Sequence, residues 1–306
     1  MAGEEHLPLY DELVRDYPVQ YIAGGATQNS IRVAQWMSQK PSLTSYIGCI
    51  GKDEFGATLE KAARDDGVTP HYLVDEEKPT GTCAVLLRHR ERSLVANLGA
   101  ANEYKFSHMQ SEPIQQVLHR AKIMYSAGFF LTVSPDSMVH MGEHCLKEGK
   151  SFMMNLSAPF LCSVFKDPMH RVLPYTNVVF GNESEAEAYA EANGLSDKSV
   201  AAVARHISEL PKAEGSSGRM VIITQGSKST VVAKDGETQE FPVPTIPEEE
   251  QVDFNGAGDA FVGGFLSRYL DNHPLEKCVK AGHWAAGVII RTNGTTLPAT
   301  CDYKDE

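Results

Sequence analysis

Asn177-Val-Val-Phe180, Gly181-Asn-Glu-Ser-Glu185 and Arg219-Met-Val-Ile-Ile-Thr224 decide the fold. The first is a short β-branched run. The second opens a helix over 182–192, whose early acids Glu183 and Glu185 suit the positive end of a helix dipole. The third is an unbroken apolar strand of the kind buried on both faces. Strand, helix, strand at this spacing is a βαβ unit and calls for parallel pairing.

The same alternation continues outward. A strand at 45–50 precedes a helix over 54–66. A strand at 122–127 precedes a helix opened by Ser134-Pro135, where proline removes only an N–H that would lack a partner anyway. Another strand falls at 151–155, and two long helices are predicted over 256–270 and 275–291. The fold expected is α/β, with a central mainly parallel sheet and helices on both faces. One interval breaks the rhythm. Between 71 and 97, Thr82-Cys-Ala-Val-Leu-Leu87 and Ser93-Leu-Val-Ala-Asn97 read as hairpin strands around the polar turn His89-Arg90-Glu91. Such a β excursion suits a lid over a cleft or a plain surface hairpin. Residues 212–219 are rich in Gly and Ser and read as a flexible loop.

Bulk properties exclude several functions. The 306 residues are 42% hydrophobic and 22% charged, with a formal net charge of −12. That balance fits a globular chain large enough for a sizeable core. It argues against general affinity for nucleic acid or anionic membranes. The six cysteines form no CxxC pair, so reduced, mostly buried thiols are expected rather than a disulfide framework or a zinc site. The start carries acids and no long apolar run, unlike a secretory signal. A reducing, cytoplasmic setting is expected, and nuclear placement stays open.

The chemistry concentrates in Asp253-Phe-Asn-Gly-Ala-Gly-Asp-Ala-Phe-Val-Gly-Gly-Phe265. Gly256, Ala257 and Gly258 are small where a helix begins, which lets an anion approach backbone N–H groups at the positive end of the dipole. Asp259, in the first turn, can accept a proton from a hydroxyl as its oxygen attacks phosphorus. Taken alone, the glycines could equally serve tight packing.

Asn-Gly-Ala-Gly-Asp-Ala-Phe followed by Gly-Gly-Phe resembles the C-terminal signature of the ribokinase-like (PfkB) carbohydrate and nucleoside kinases. Ala23-Gly-Gly-Ala-Thr-Gln-Asn-Ser-Ile31, Pro79-Thr-Gly-Thr-Cys83, Ala127-Gly-Phe-Phe-Leu-Thr-Val-Ser-Pro135 and Asn155-Leu-Ser-Ala-Pro-Phe160 resemble further family segments, in the family's order. The resemblance covers nearly the whole chain as one kinase domain, 1–306, with a β lid from 71–97 and part of 1–25. It implies phosphoryl transfer from ATP to the 5′-hydroxyl of adenosine by a monomer, with Mg²⁺ as cofactor. Asp259 matches the family's base, and Gly256, Ala257 and Gly258 its anion hole. Asn255, Asn182, Thr224, Gln225 and Gly226 match ATP-binding positions. Asn182 and Glu185 match a motif tied indirectly to magnesium, although a helix cap with a favourable acid explains the pair equally well. Gly24, Gly25 and Asn29 match the segment holding the ribose. Arg92 matches a lid arginine that reaches phosphates, and Leu94, Ala96 and Phe130 match apolar positions around the adenine. His283 and Trp284 read as packing residues.

The chain also departs from the family's pattern. Members that phosphorylate adenosine begin with a strand carrying Gly-Asn-Pro-x-x-Asp, which holds the ribose. Residues 1–6 do not supply it, so weakened nucleoside binding, an unpaired sheet edge, and a weakly active or non-catalytic binder are the alternative expectations. Phe254 stands where threonine is usual and is expected to alter entry of the ATP phosphates.

Overall fold

The computed structural model describes residues 3–88 and 91–305. In chain order the helices are α1 Leu7–Asp16, α2 Ala26–Ser38, α3 Glu54–Asp65, α4 Phe106–Met109, α5 Glu112–Arg120, α6 Pro135–Lys147, α7 Pro159–Val164, α8 Lys166–Val172, α9 Glu183–Ala192, α10 Val200–Glu209, α11 Ala257–Tyr269 and α12 Leu275–Ile290. The strands are β1 Ser45–Gly51, β2 Thr69–Asp75, β3 Thr82–Arg88, β4 Glu91–Asn97, β5 Ile123–Ala127, β6 Ser151–Asn155, β7 Val178–Asn182, β8 Met220–Gln225, β9 Lys228–Lys234 and β10 Glu237–Phe241. Among the described residues no helix is long and apolar enough to cross a membrane. The chain divides into two compact units, one of residues 1–104, 247–263 and 284–306, the other of 105–246 and 264–283.

The second unit holds a six-stranded sheet in the order β10-β9-β8-β7-β6-β5. β5 to β8 are parallel, while β9 and β10 turn antiparallel. Val178, Val179 and Phe180 are consecutive and all buried, as are Val221, Ile222 and Ile223. Successive strand side chains point to opposite faces, so both faces of this sheet are covered. That is the outcome the apolar runs predict. The turn from β8 to β9 is tight, with Gln225 paired to Lys228 and Gly226 at φ +59°.

Arg219 was not anticipated as a core residue, yet it is 1% exposed at the start of β8. Its guanidinium donates to the carbonyls of Leu173, Thr176, Ile207, Leu210 and Pro211, the closest at 2.6 Å. Beside it Lys212 Nζ donates to Thr176 O and Gly218 O, and burial pulls the lysine's pKa down to about 8. The 212–219 loop is thus tied at both ends. A buried cation tolerates this position only because its donors are matched by carbonyl acceptors.

In the first unit β1 and β2 form a parallel pair, and β3 and β4 an antiparallel hairpin. The β excursion therefore begins after β2, which belongs with β1. Residues 89–90 and the side chain of Arg92 lie outside the described residues. α2 buries Gln28, Asn29, Ser30, Arg32, Val33, Ala34, Gln35 and Met37. Trp36 stacks on Trp284 with ring centroids 5.5 Å apart, and Tyr303 adjoins Trp284 at 5.2 Å. All six cysteines are free thiols. Cys145, Cys162 and Cys278 are buried, whereas Cys83 is exposed and Cys49 and Cys301 are intermediate, so half rather than most are buried.

Candidate active site

Asp253 builds the turn that precedes α11. Its Oδ1 accepts from Asn255 N at 2.8 Å and its Oδ2 from Gly294 N at 3.1 Å. Gly256 follows at φ +80°, and a Cβ there would collide with Thr295 Oγ1. Only glycine meets both demands. Because the residue before Ala257 has no side chain, nothing at that position can cap the helix from within. A Cβ at Gly258 would meet no atom within 4 Å, so the space over the first turn is open. Asn255, Gly256, Ala257 and Gly258 thus form one open helix start, as expected. Phe254 is 44% exposed and turned to solvent. Glu248, Glu249 and Glu250 form an exposed 3-10 turn, with Glu250 paired to Arg291.

Asp259 stands in that first turn. Asn29 Nδ2 donates to its Oδ2 at 2.9 Å. Burial of the carboxyl pushes its pKa up to about 7, with the Asn29 bond pulling the other way. Unpaired burial disfavours the charged form of an acid. The result is a carboxylate poised to take a proton near neutral pH. Asn29 belongs to α2, whose N-cap is Gly25 at φ +100°. Asn29 N closes on Gly25 O at 2.8 Å, and Gly24 faces open space. Gly24, Gly25 and Asn29, expected on the substrate side, therefore lie at one helix start, and Asn29 joins that start to Asp259. On the hairpin, Leu94 and Ala96 share one face of β4, and Leu94 is 49% exposed.

In the second unit Asn182 and Glu185 close a capping box. Asn182 Oδ1 accepts from Glu185 N at 3.0 Å, and Glu185 Oε2 accepts from Asn182 N at 3.0 Å. Asn182 Nδ2 also donates to Glu185 Oε1 at 2.8 Å. Both carboxylate oxygens of this buried glutamate are engaged by Asn182, which is the structural alternative made concrete. Among the described residues no group of three or more His, Cys, Asp or Glu side chains could hold a metal ion. Thr224 lies opposite Asn182 on β8 and its Oγ1 donates to Gly181 O at 3.3 Å, while Gln225 Nε2 donates to Ser229 O at 2.6 Å. Phe130 sits in the 3-10 turn Gly128–Thr132 after β5. His283 is a packing residue, 2.8 Å from Thr230 Oγ1, and burial lowers its pKa to about 4.

Residues 2–301 match the pfkB family carbohydrate kinase. The chain belongs to this family. It is similar to adenosine kinase 2 of Arabidopsis thaliana, at 50% identity over 99% of this chain and 88% of the relative. The adenosine kinase of Dictyostelium discoideum is 43% identical over 98% of this chain and 88% of its own length. Among solved structures, Anopheles gambiae adenosine kinase in complex with P1,P4-di(adenosine-5) tetraphosphate superposes with a TM-score of 0.95 at 42% identity, covering 99% of this chain and 89% of that one. Schistosoma mansoni adenosine kinase in complex with adenosine and AMP superposes with a TM-score of 0.92 at 37% identity, over 99% and 89%. The family's ribokinase-like α/β fold is thereby confirmed, with the mainly parallel sheet the sequence implies.

Proposed function

We propose that the chain transfers the γ-phosphoryl group of ATP to the 5′-hydroxyl of adenosine, giving AMP and ADP. The observation that carries this reading is Asp259, a carboxyl with pKa about 7 in the first turn of a helix whose start is open over Gly258. A hydroxyl brought there loses its proton to Asp259 as its oxygen bonds to phosphorus and the bond to the ADP oxygen breaks. In this reading N–H groups of Gly256, Gly258 and Asp259 face charge that develops on the transferred group, Ala257 N donating instead to Phe254 O at 3.2 Å. Relatives and neighbours that are adenosine kinases, matched over nearly the whole chain, support adenosine as the acceptor.

Mg²⁺ belongs to this reading as a companion of ATP, where it neutralises charge on the phosphate oxygens. Glu185, with each oxygen accepting a hydrogen bond from Asn182, would reach it through water in this reading. Thr224, Gln225 and Gly226 supply the ATP edge in this reading, and Leu94 and Ala96 on the hairpin apolar surface for a purine. Monomeric action in a reducing setting accompanies it. A non-catalytic binder is not favoured, since base, amide partner and open helix start are all present. Asp259→Asn should lower AMP formation by about 10²–10⁴-fold, the range a general base contributes. Calorimetry should find nucleotide binding retained. Wild-type turnover in that variant would end the proposal.

A further inference from the structure

Asn29 and Asp259 are 230 positions apart, and their bond is held from three sides. At the start of α2, Asn29 N is locked to Gly25 O. One turn on, buried Arg32 donates to Asp66 Oδ2 at 2.5 Å and to Ala23 O at 3.2 Å, fixing α2 against the segment before it. One turn beyond Asp259, Gly263 brings α11 into backbone contact with α2. A Cβ there would lie 2.5 Å from Ser30 O and 2.6 Å from Val33 Cβ. Neither neighbour can yield cheaply, so the helix spacing at Asp259 is set by this glycine.

Asn29 is 8% exposed, and its Oδ1 is buried with no hydrogen-bond partner. Its amide is thus committed to a single partner, the Asp259 carboxylate. An ionised carboxylate only accepts, so the amide N–H side must face it. With Oδ2 taken, Oδ1 is the oxygen left for an incoming proton. Asp253, in the turn before α11, is directed to Asn255 N and Gly294 N, and Arg32 on α2 to Asp66.

We propose that Asn29 is a positioning residue for phosphoryl transfer, holding Asp259 so that Oδ1 meets the attacking hydroxyl, with the α2–α11 contact at Gly263 setting the length of that hold. The inference rests on Asp259 acting as the base. A sugar contact, the role the family resemblance gives Asn29, would change nucleoside affinity alone. A hold on the base changes the pH at which the base works.

The test is kcat/KM for adenosine against pH in the full chain, for wild type, Asn29→Leu, Gly263→Ala, the double variant and Met37→Ala. Wild type should show an acid limb near pH 7. Asn29→Leu should move it upward by about one to two pH units, because the ionised form loses its donor. Gly263→Ala should move it the same way by less, and the double variant no further than Asn29→Leu, since both act on one bond. Met37→Ala, a core truncation on the same helix (Met37 is 1% exposed), should lower the melting temperature and leave the limb in place. Carbon-13 NMR titration of the Asp259 carboxyl reads the same midpoint without turnover. An unmoved midpoint in Asn29→Leu, or an equal shift in Met37→Ala, overturns the proposal while leaving Asp259 as base intact. Turnover by Asp259→Asn would instead remove the reading beneath it.

Discussion

Two helices of this chain begin with nearly the same local sequence logic and end up with opposite properties. α9 starts at Asn182 with Glu185 three residues on, and α11 starts after Gly256 with Asp259 three residues on. At α9 the asparagine and glutamate satisfy each other, Asn182 Oδ1 taking the Glu185 N–H and Glu185 Oε2 the Asn182 N–H, so the end is sealed. At α11 the position before the helix is glycine, the first-turn carboxylate turns instead to Asn29, and the space above Gly258 stays empty of protein. An acid in a first turn stabilises a helix in both cases. Only where the cap is withheld does the helix end become available to a phosphate and the acid to a proton.

Exchanging the two properties gives the sharpest test. Gly258→Ala should leave the fold as stable as wild type or slightly more so, since its Cβ meets nothing and alanine is the better helix former. The same methyl should lower kcat/KM for ATP at least tenfold if phosphate approaches there. Unchanged kinetics would place the phosphate elsewhere. Second in size is the energetic cost of the open end. Asp259 has a folded pKa of about 7, well above an unfolded carboxylate, so its contribution to stability is intact at low pH and lost as pH rises through 7. Asp259→Asn should therefore stabilise the unliganded protein at pH 8, with about 4 kcal/mol as a ceiling, and do little at pH 4. A melting temperature that rises equally at both pH values would show that ionisation is not the cause. Smallest is the sealed end. Asn182→Ala should cost about 1 kcal/mol, typical of a lost N-cap, read from urea unfolding. A much larger loss of activity than of stability in that variant would give Asn182 a role in binding ATP beyond the cap.

Local patterns were enough for much of this. The capping box, the proline at the start of α6, the β3–β4 hairpin and the buried β8 are short-range features, each set by a few neighbouring residues. Gly256 to Asp259 were also legible as a helix start, because glycine before a helix and an acid in its first turn suit that position. Arg219 was not. It stands between a Gly/Ser-rich stretch and an apolar strand, and its acceptors lie 8 to 46 positions away. A charged residue gives no local sign that distant carbonyls will surround it. Asn29 gave no local sign of its bond to Asp259 for a similar reason, since that bond spans almost the whole chain.

By itself the sequence determined the alternation of strands and helices, the position of the open glycine turn and the identity of the acid beside it. These follow from side-chain period, φ requirements and dipole chemistry, which act within a few residues. The tertiary structure decided which polar groups are satisfied and by whom: Asn182 by Glu185, Arg219 by five carbonyls, and Asp259 by one amide that leaves its second oxygen free. That choice depends on packing between elements far apart in sequence. Gly263 is where it becomes physical, because the absence of one methyl lets α2 come close enough for Asn29 to reach the acid that the sequence had already marked.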